Sequence, residues 1–175
     1  VMIEKPVVLF KREAEKVIKA WQDSKCKITS NLILRKSPRF IKLKRAIEKG
    51  TYGKIYHIEG DYLHYILHKI TKGWRGKMPF YCTVYGGGIH LIDLMRWLIQ
   101  KEIYEVSSMG NNILTKNSSY IFPETICALL KFTNGITGKS VTTFGPKRTK
   151  FHSLNIFGSK KTFINHSGKA EIFTG

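Results

Sequence analysis

Residues 125–144 read TICALLKFTNGITGKSVTTF. Two runs rich in β-branched and apolar residues flank Thr133-Asn134-Gly135, and an asparagine–glycine pair between such runs is a strong signal for a tight β-hairpin, because both residue types accept positive φ. The same strand character continues outward. Residues 103–109 precede the hairpin, and residues 151–157, 161–165 and 170–173 follow it, punctuated by Gly158-Ser159 and Ser167-Gly168. After residue 99 the chain therefore predicts strands only, paired into a mostly antiparallel sheet. Upstream, Gly86-Gly87-Gly88 leads into residues 89–99, a helix apolar on most of its surface and so expected to be buried. Before it lies a long strand over 54–65, then an irregular stretch over 68–85 holding Trp74-Arg75-Gly76. Connections of that length usually carry function.

The first fifty residues have a different rhythm. A short apolar stub at 1–3 is followed by Ala14, Val17, Ile18 and Trp21 at helical spacing, which predicts an amphipathic helix packing one face inward. Residues 27–34 form a compact strand-like run. Ser37-Pro38 then offers an N-cap with proline at the first helical position. Phe40, Leu43, Ala46 and Ile47 give the next helix its apolar stripe, and Gly50 supplies the left-handed residue that commonly ends a helix. Strand, helix, strand and helix in succession is the rhythm of an α/β sheet.

Bulk properties exclude several classes. The 175 residues are enough for one sizeable core. No run approaches the roughly 20 apolar residues of a membrane-spanning helix, and residues 1–6 have neither a basic leader nor an apolar signal core, so a soluble, cytoplasmic protein is expected. Cys26, Cys82 and Cys127 are widely spaced and odd in number, which reads as three reduced thiols and neither a disulfide framework nor a zinc cluster. The net charge of +18 would attract polyanions. The basic residues are nevertheless scattered (Lys11, Arg12, Lys16, Lys19; Lys42, Lys44, Arg45; Lys147, Arg148, Lys150), and lysine outnumbers arginine, so no dedicated nucleic-acid site is expected. His64 and His68 have no third ligand in spacing, so no metal is expected.

Five motifs in order, Glu4-Lys5-Pro6, Arg35 with Ser37-Pro38-Arg39-Phe40, residues 50–55 (GTYGKI), Trp74-Arg75-Gly76 and residues 86–94 (GGGIHLIDL), cover nearly the whole chain. Together they resemble the Gfo/Idh/MocA oxidoreductases, the family of glucose-fructose oxidoreductase, inositol dehydrogenase and rhizopine catabolism. The resemblance implies an N-terminal Rossmann domain binding NAD or NADP, followed by an α/β domain with an open antiparallel sheet and helices on one face. In the family the glutamate–lysine–proline motif lies near the end of the Rossmann domain. Here it begins at residue 4, and no Gly-x-Gly-x-x-Gly occurs. The expectation is thus a Rossmann remnant over 1–50 and a catalytic and dimerisation domain over 51–175, truncated at both ends and inactive alone.

The resemblance also implies site residues. Oxidising a sugar, polyol or sugar-nucleotide CH–OH needs a base for the hydroxyl proton beside the nicotinamide. Lys5 and His90 are the implied catalytic pair, with Glu4, Lys5, Pro6 and Arg35 toward the cofactor. The family typically has an aspartate four residues before the histidine, where this chain has Gly86, and the adjacent Tyr85 could supply a hydroxyl instead. Arg75 and Trp74 would line the substrate pocket, and Asp93 would orient the imidazole or bond a neighbouring group. Tyr52, Tyr56, Tyr62 and Tyr65 read as sheet packing or a dimer surface. A homo-oligomer through an apolar sheet face is expected, and a non-catalytic dimerising scaffold or a basic nucleic-acid binder are the rival readings.

Overall fold

The computed structural model describes residues 1–147, 151–165 and 169–174. Strand β1 (Met2–Ile3), helix α1 (Lys11–Ser24) and strand β2 (Thr29–Ser30) make a minimal parallel β-α-β unit. A 3-10 turn (Ile33–Lys36) and helix α2 (Pro38–Glu48) follow. Strand β3 (Ile55–Leu63) enters the main sheet, and short helix α3 (Leu67–Thr71), a 3-10 turn (Trp74–Lys77) and a π-helical turn (Val84–Gly88) lead into helix α4 (Ile89–Ile99). The rest is β4 (Ile103–Asn111), β5 (Thr125–Phe132), β6 (Thr137–Thr143), β7 (Phe151–His152), β8 (Leu154–Gly158), β9 (Lys161–Asn165) and β10 (Ala170–Thr174). The main sheet has the order β10-β9-β8-β3-β6-β5-β4, with β7 also on β3. All its pairings are antiparallel except β3 with β6.

Sequence chemistry accounts for most of this. The β5–β6 hairpin turns at Asn134-Gly135, where Gly135 has φ +84°. Helix α4 buries Leu91, Leu94 and Met95 completely against the sheet, each burial contributing about 1.5–3 kcal/mol. Its close approach requires Gly60 on β3, since a Cβ there would lie 3.1 Å from the Met95 methyl and 3.3 Å from Leu91. Pro38 opens α2, and Gly50 follows it at φ +70°. Side chains Phe40 and Leu43 carry α2 into the same core.

Three expectations need correction. Helix α1 exists, but no residue of it is buried, and Ile18 and Trp21 are about half exposed. The neighbouring β1 and β2, two residues each, offer too little apolar surface to cover it. The strand over 27–34 shrinks to Thr29–Ser30, because Leu34 turns into the core and Arg35 toward α4, and tertiary contacts override strand propensity. The open face of the sheet is not apolar throughout. At its centre Glu59 accepts from Asn155 and pairs with Lys139 at 3.2 Å, while His57 reaches Thr137 at 2.8 Å. The Ser167-Gly168 turn and the basic residues Arg148 and Lys150 lie outside the described residues. The three cysteines are free. Among the described residues no helix is long and apolar enough to cross a membrane, and no group of metal-ligating side chains gathers.

Candidate active site

Strand β1 delivers Glu4-Lys5-Pro6 to the edge of a cavity of about 610 Å³ whose lining includes Glu4, Lys5, Pro6, Trp74, Arg75 and Tyr81. Residues 70 positions apart in sequence meet because the Trp74–Lys77 turn folds back over the loop after β1. Lys5 donates from Nζ to the Gly86 carbonyl at 2.5 Å, so its ammonium sits at the head of the helical stretch that continues into α4. Arg75 stacks its guanidinium on the Trp74 indole, 4.4 Å from the ring centroid. Both carboxylates at the rim have other partners. Glu4 accepts from Asn31 Nδ2 at 2.8 Å, and Glu13 accepts from the backbone N–H groups of Leu9 and Phe10 at 2.9 and 3.3 Å.

The triglycine is a packing device. None of Gly86, Gly87 and Gly88 has positive φ, and each presents its bare Cα to a neighbouring side chain. A Cβ on Gly86 would fall 2.5 Å from Tyr81 Oη, on Gly87 2.2 Å from the Tyr62 ring, and on Gly88 2.4 Å from Thr142 Oγ1. The Tyr81 hydroxyl thus occupies the space in front of Gly86, where the family's aspartate would project. Burial raises the pKa of Tyr81, and the nearby Arg75 charge pulls it back down. Tyr85 points elsewhere, its ring edge-on to Phe80 at 5.4 Å.

His90 is buried, at 3% exposure, behind this layer and does not line the cavity. Its ring stacks on Tyr62 with centroids 6.5 Å apart, and His152 stands perpendicular to it at 5.9 Å. The Tyr62 hydroxyl hydrogen-bonds His64 Nδ1 at 2.9 Å, and burial pushes the Tyr62 pKa up to about 12. Asp93 clasps Arg35 through both oxygens, with Nε at 2.7 Å, tying the turn before α2 to α4. Arg35 thereby gains a raised pKa, through the hydrogen bond with Asp93 first, against the desolvation that lowers it.

Of the residues expected from sequence, the structure gathers Glu4, Lys5, Pro6, Trp74 and Arg75 around one cavity. It sets His90 one layer back, turns Tyr85 into an aromatic cluster, and pairs Arg35 with Asp93. Tyr81 and His152 were not foreseen, and Tyr62 was expected only as sheet packing or a dimer surface. Their one sequence signal is steric: three consecutive small residues at a buried helix start demand large side chains opposite.

The GFO/IDH/MocA C-terminal domain model matches residues 40–164. The chain belongs to the GFO/IDH/MocA family. Inositol 2-dehydrogenase 2 of Saccharopolyspora erythraea is 24% identical over 106 residues, 59% of this chain and 29% of that protein. Myo-inositol 2-dehydrogenase from Lactobacillus plantarum superposes with a TM-score of 0.87 at 21% identity, covering 95% of this chain and 50% of that one. Scyllo-inositol dehydrogenase from Lactobacillus casei, solved with NAD(H) and scyllo-inositol, gives 0.83 at 21% identity over 96% and 50%. The chain thus spans about half the length of these solved relatives, and the likeness establishes its fold.

Proposed function

We propose that this chain is the substrate-side portion of an NAD(P)-dependent oxidoreductase acting on a CH–OH group of a sugar, polyol or sugar nucleotide. The carrying observation is the convergence of Lys5 with Arg75, Trp74 and Tyr81 on one cavity, in a chain of this family. Relatives named for inositol and bound to NAD(H) support the substrate class and the cofactor. The nicotinamide would supply the hydride acceptor. The described residues fit only its reactive end: Lys5 and the flat Trp74 face line the cavity, whereas Gly86–Gly88, filled by Tyr81, Tyr62 and Thr142, offers no backbone cradle for a pyrophosphate.

Within that reading Lys5 holds and accepts the substrate hydroxyl proton. Its Nζ is held by the Gly86 carbonyl at the edge of the cavity. His90, one layer behind the cavity and set by the Tyr62 and His152 rings, is the second catalytic candidate of this reading. Residues 1–50 are the end of the nucleotide-binding domain and residues 51–175 the catalytic and dimerisation domain. The open sheet face is the surface for a second copy, with Leu129 and Met109 exposed on it and the long β4 edge uncovered.

The test is turnover of a panel of polyols, aldoses, sugar acids and sugar nucleotides with NAD and NADP, followed by reduced-nicotinamide absorbance, in the protein that carries this chain with its nucleotide-binding half. Oxidation of at least one member supports the reading; inertness across the panel with bound cofactor overturns it. The 175-residue chain itself is expected not to bind NADH or NADPH tightly, read by nicotinamide fluorescence.

A further inference from the structure

Two arginines among the described residues are half-buried, Arg35 and Arg75. Arg35 is neutralised by Asp93. Arg75 is not: all 12 acidic residues are among the described residues, and none of their side chains forms an ion pair with Arg75. A half-buried guanidinium without a counter-ion is unfavourable unless something in its site needs the charge. Its guanidinium already rests over the Trp74 ring, which lowers the entropy lost when a ligand engages the fork. Lys5 adds a second cation to the same cavity, and the two rim carboxylates, Glu4 and Glu13, are turned to Asn31 and to the backbone of Leu9 and Phe10.

We propose that the cavity contains a carboxylate subsite, in which the Arg75 fork takes both oxygens of an acidic sugar and the Tyr81 hydroxyl donates to one of them. A planar two-oxygen acceptor matches the planar fork, and a flanking hydroxyl completes the set. The substrate class is therefore a sugar acid, with its carboxylate on Arg75 and its reacting hydroxyl toward Lys5. This inference deepens the oxidoreductase reading and rests on it for the reaction, but not for the binding.

Binding is therefore measured without nicotinamide, by calorimetric titration of the chain with D-glucuronate, D-glucose and D-glucose 6-phosphate. Glucuronate is expected to bind at least about ten-fold tighter than glucose, as a charge-assisted bidentate pair implies. Arg75→Gln should abolish that preference. Arg75→Lys, which keeps the charge and loses the fork, should retain only part of it, and it serves as the second variant if Arg75→Gln fails to fold. Equal affinity for glucuronate and glucose, a preference that survives Arg75→Gln, or tighter binding of the phosphate would overturn the carboxylate subsite and leave the oxidoreductase reading standing. Binding of none of the three would overturn the subsite and remove the cavity itself as the substrate site, which is the observation carrying the proposed function.

Discussion

Gly87→Ala tests the claim that the triglycine is there for packing. The Cβ would lie 2.2 Å from Tyr62 Cε1 and 2.6 Å from Cδ1, well inside the 3.5–4.0 Å of ordinary carbon contacts. Tyr62 has little freedom to retreat: its ring is stacked on His90, edge-on to Phe144 at 6.3 Å and to His152 at 5.0 Å, and its hydroxyl is tied to His64. Relief must come from a shift of more than an ångström in the helix start or in β3. Overpacking of this kind costs about 3 kcal/mol, which lowers the melting temperature of a chain this size by roughly 6–12 °C. Gly50→Ala is the contrasting substitution, since φ is +70° there and nothing lies within 4 Å of the new Cβ. Backbone strain alone costs about 1 kcal/mol at such a site. Urea unfolding of both variants beside the parent chain reads the difference. A Gly87→Ala variant as stable as the parent, or less affected than Gly50→Ala, would refute the packing account.

Three further outcomes are expected. Burial works to raise the Glu59 pKa, but the hydrogen bonds from Asn155 and Lys139, with the Lys139 and His57 charges, bring it below the usual 4.5. A depressed carboxylate contributes stability at neutral pH that is lost as pH falls through its folded-state value. The unfolding free energy should therefore drop on acidification below about pH 5, and Glu59→Gln should flatten that drop, as urea titrations across the acid range would show. Because Arg75 holds the Tyr81 hydroxyl down against burial and its charge also lowers Tyr62, Arg75→Gln should move these two tyrosines to higher pKa in a tyrosinate absorbance titration, Tyr81 through the lost hydrogen bond as well as the lost charge. Asp93→Ala strands Arg35 and unties the turn before α2 from α4, costing about 1–2 kcal/mol by chemical denaturation, between the values for exposed and buried pairs.

The sheet was legible because its signals are local. Asn134-Gly135 marks its own hairpin, and β5 and β9 fall on the residues their patterning indicates. Helix α4 follows its apolar periodicity from Ile89 to Ile99. Long-range partnership was less legible. Nothing local in residues 27–34 says that Leu34 joins the core and Arg35 finds Asp93, so a strand-like run becomes a 3-10 turn. The amphipathic pattern of α1 is real, but periodicity does not reveal whether a surface exists to cover it. In the site, Lys5, Trp74 and Arg75 come from motif positions and do converge. Tyr81 was missed because it is five residues from Gly86, and only the fold shows that its hydroxyl stands over the bare glycine. The neighbouring Tyr85, adjacent in sequence, turns to Phe80 instead.

The most direct test of the proposed function is the effect of Lys5→Met on turnover, measured with the proposed nucleotide-binding half present. The substitution keeps the length of the side chain and removes the group held by the Gly86 carbonyl. If Lys5 accepts the hydroxyl proton, kcat falls by about 10²–10⁴-fold while the fold and cofactor binding persist. A kcat unchanged within a few-fold would contradict the assignment of this cavity as the place where the substrate reacts.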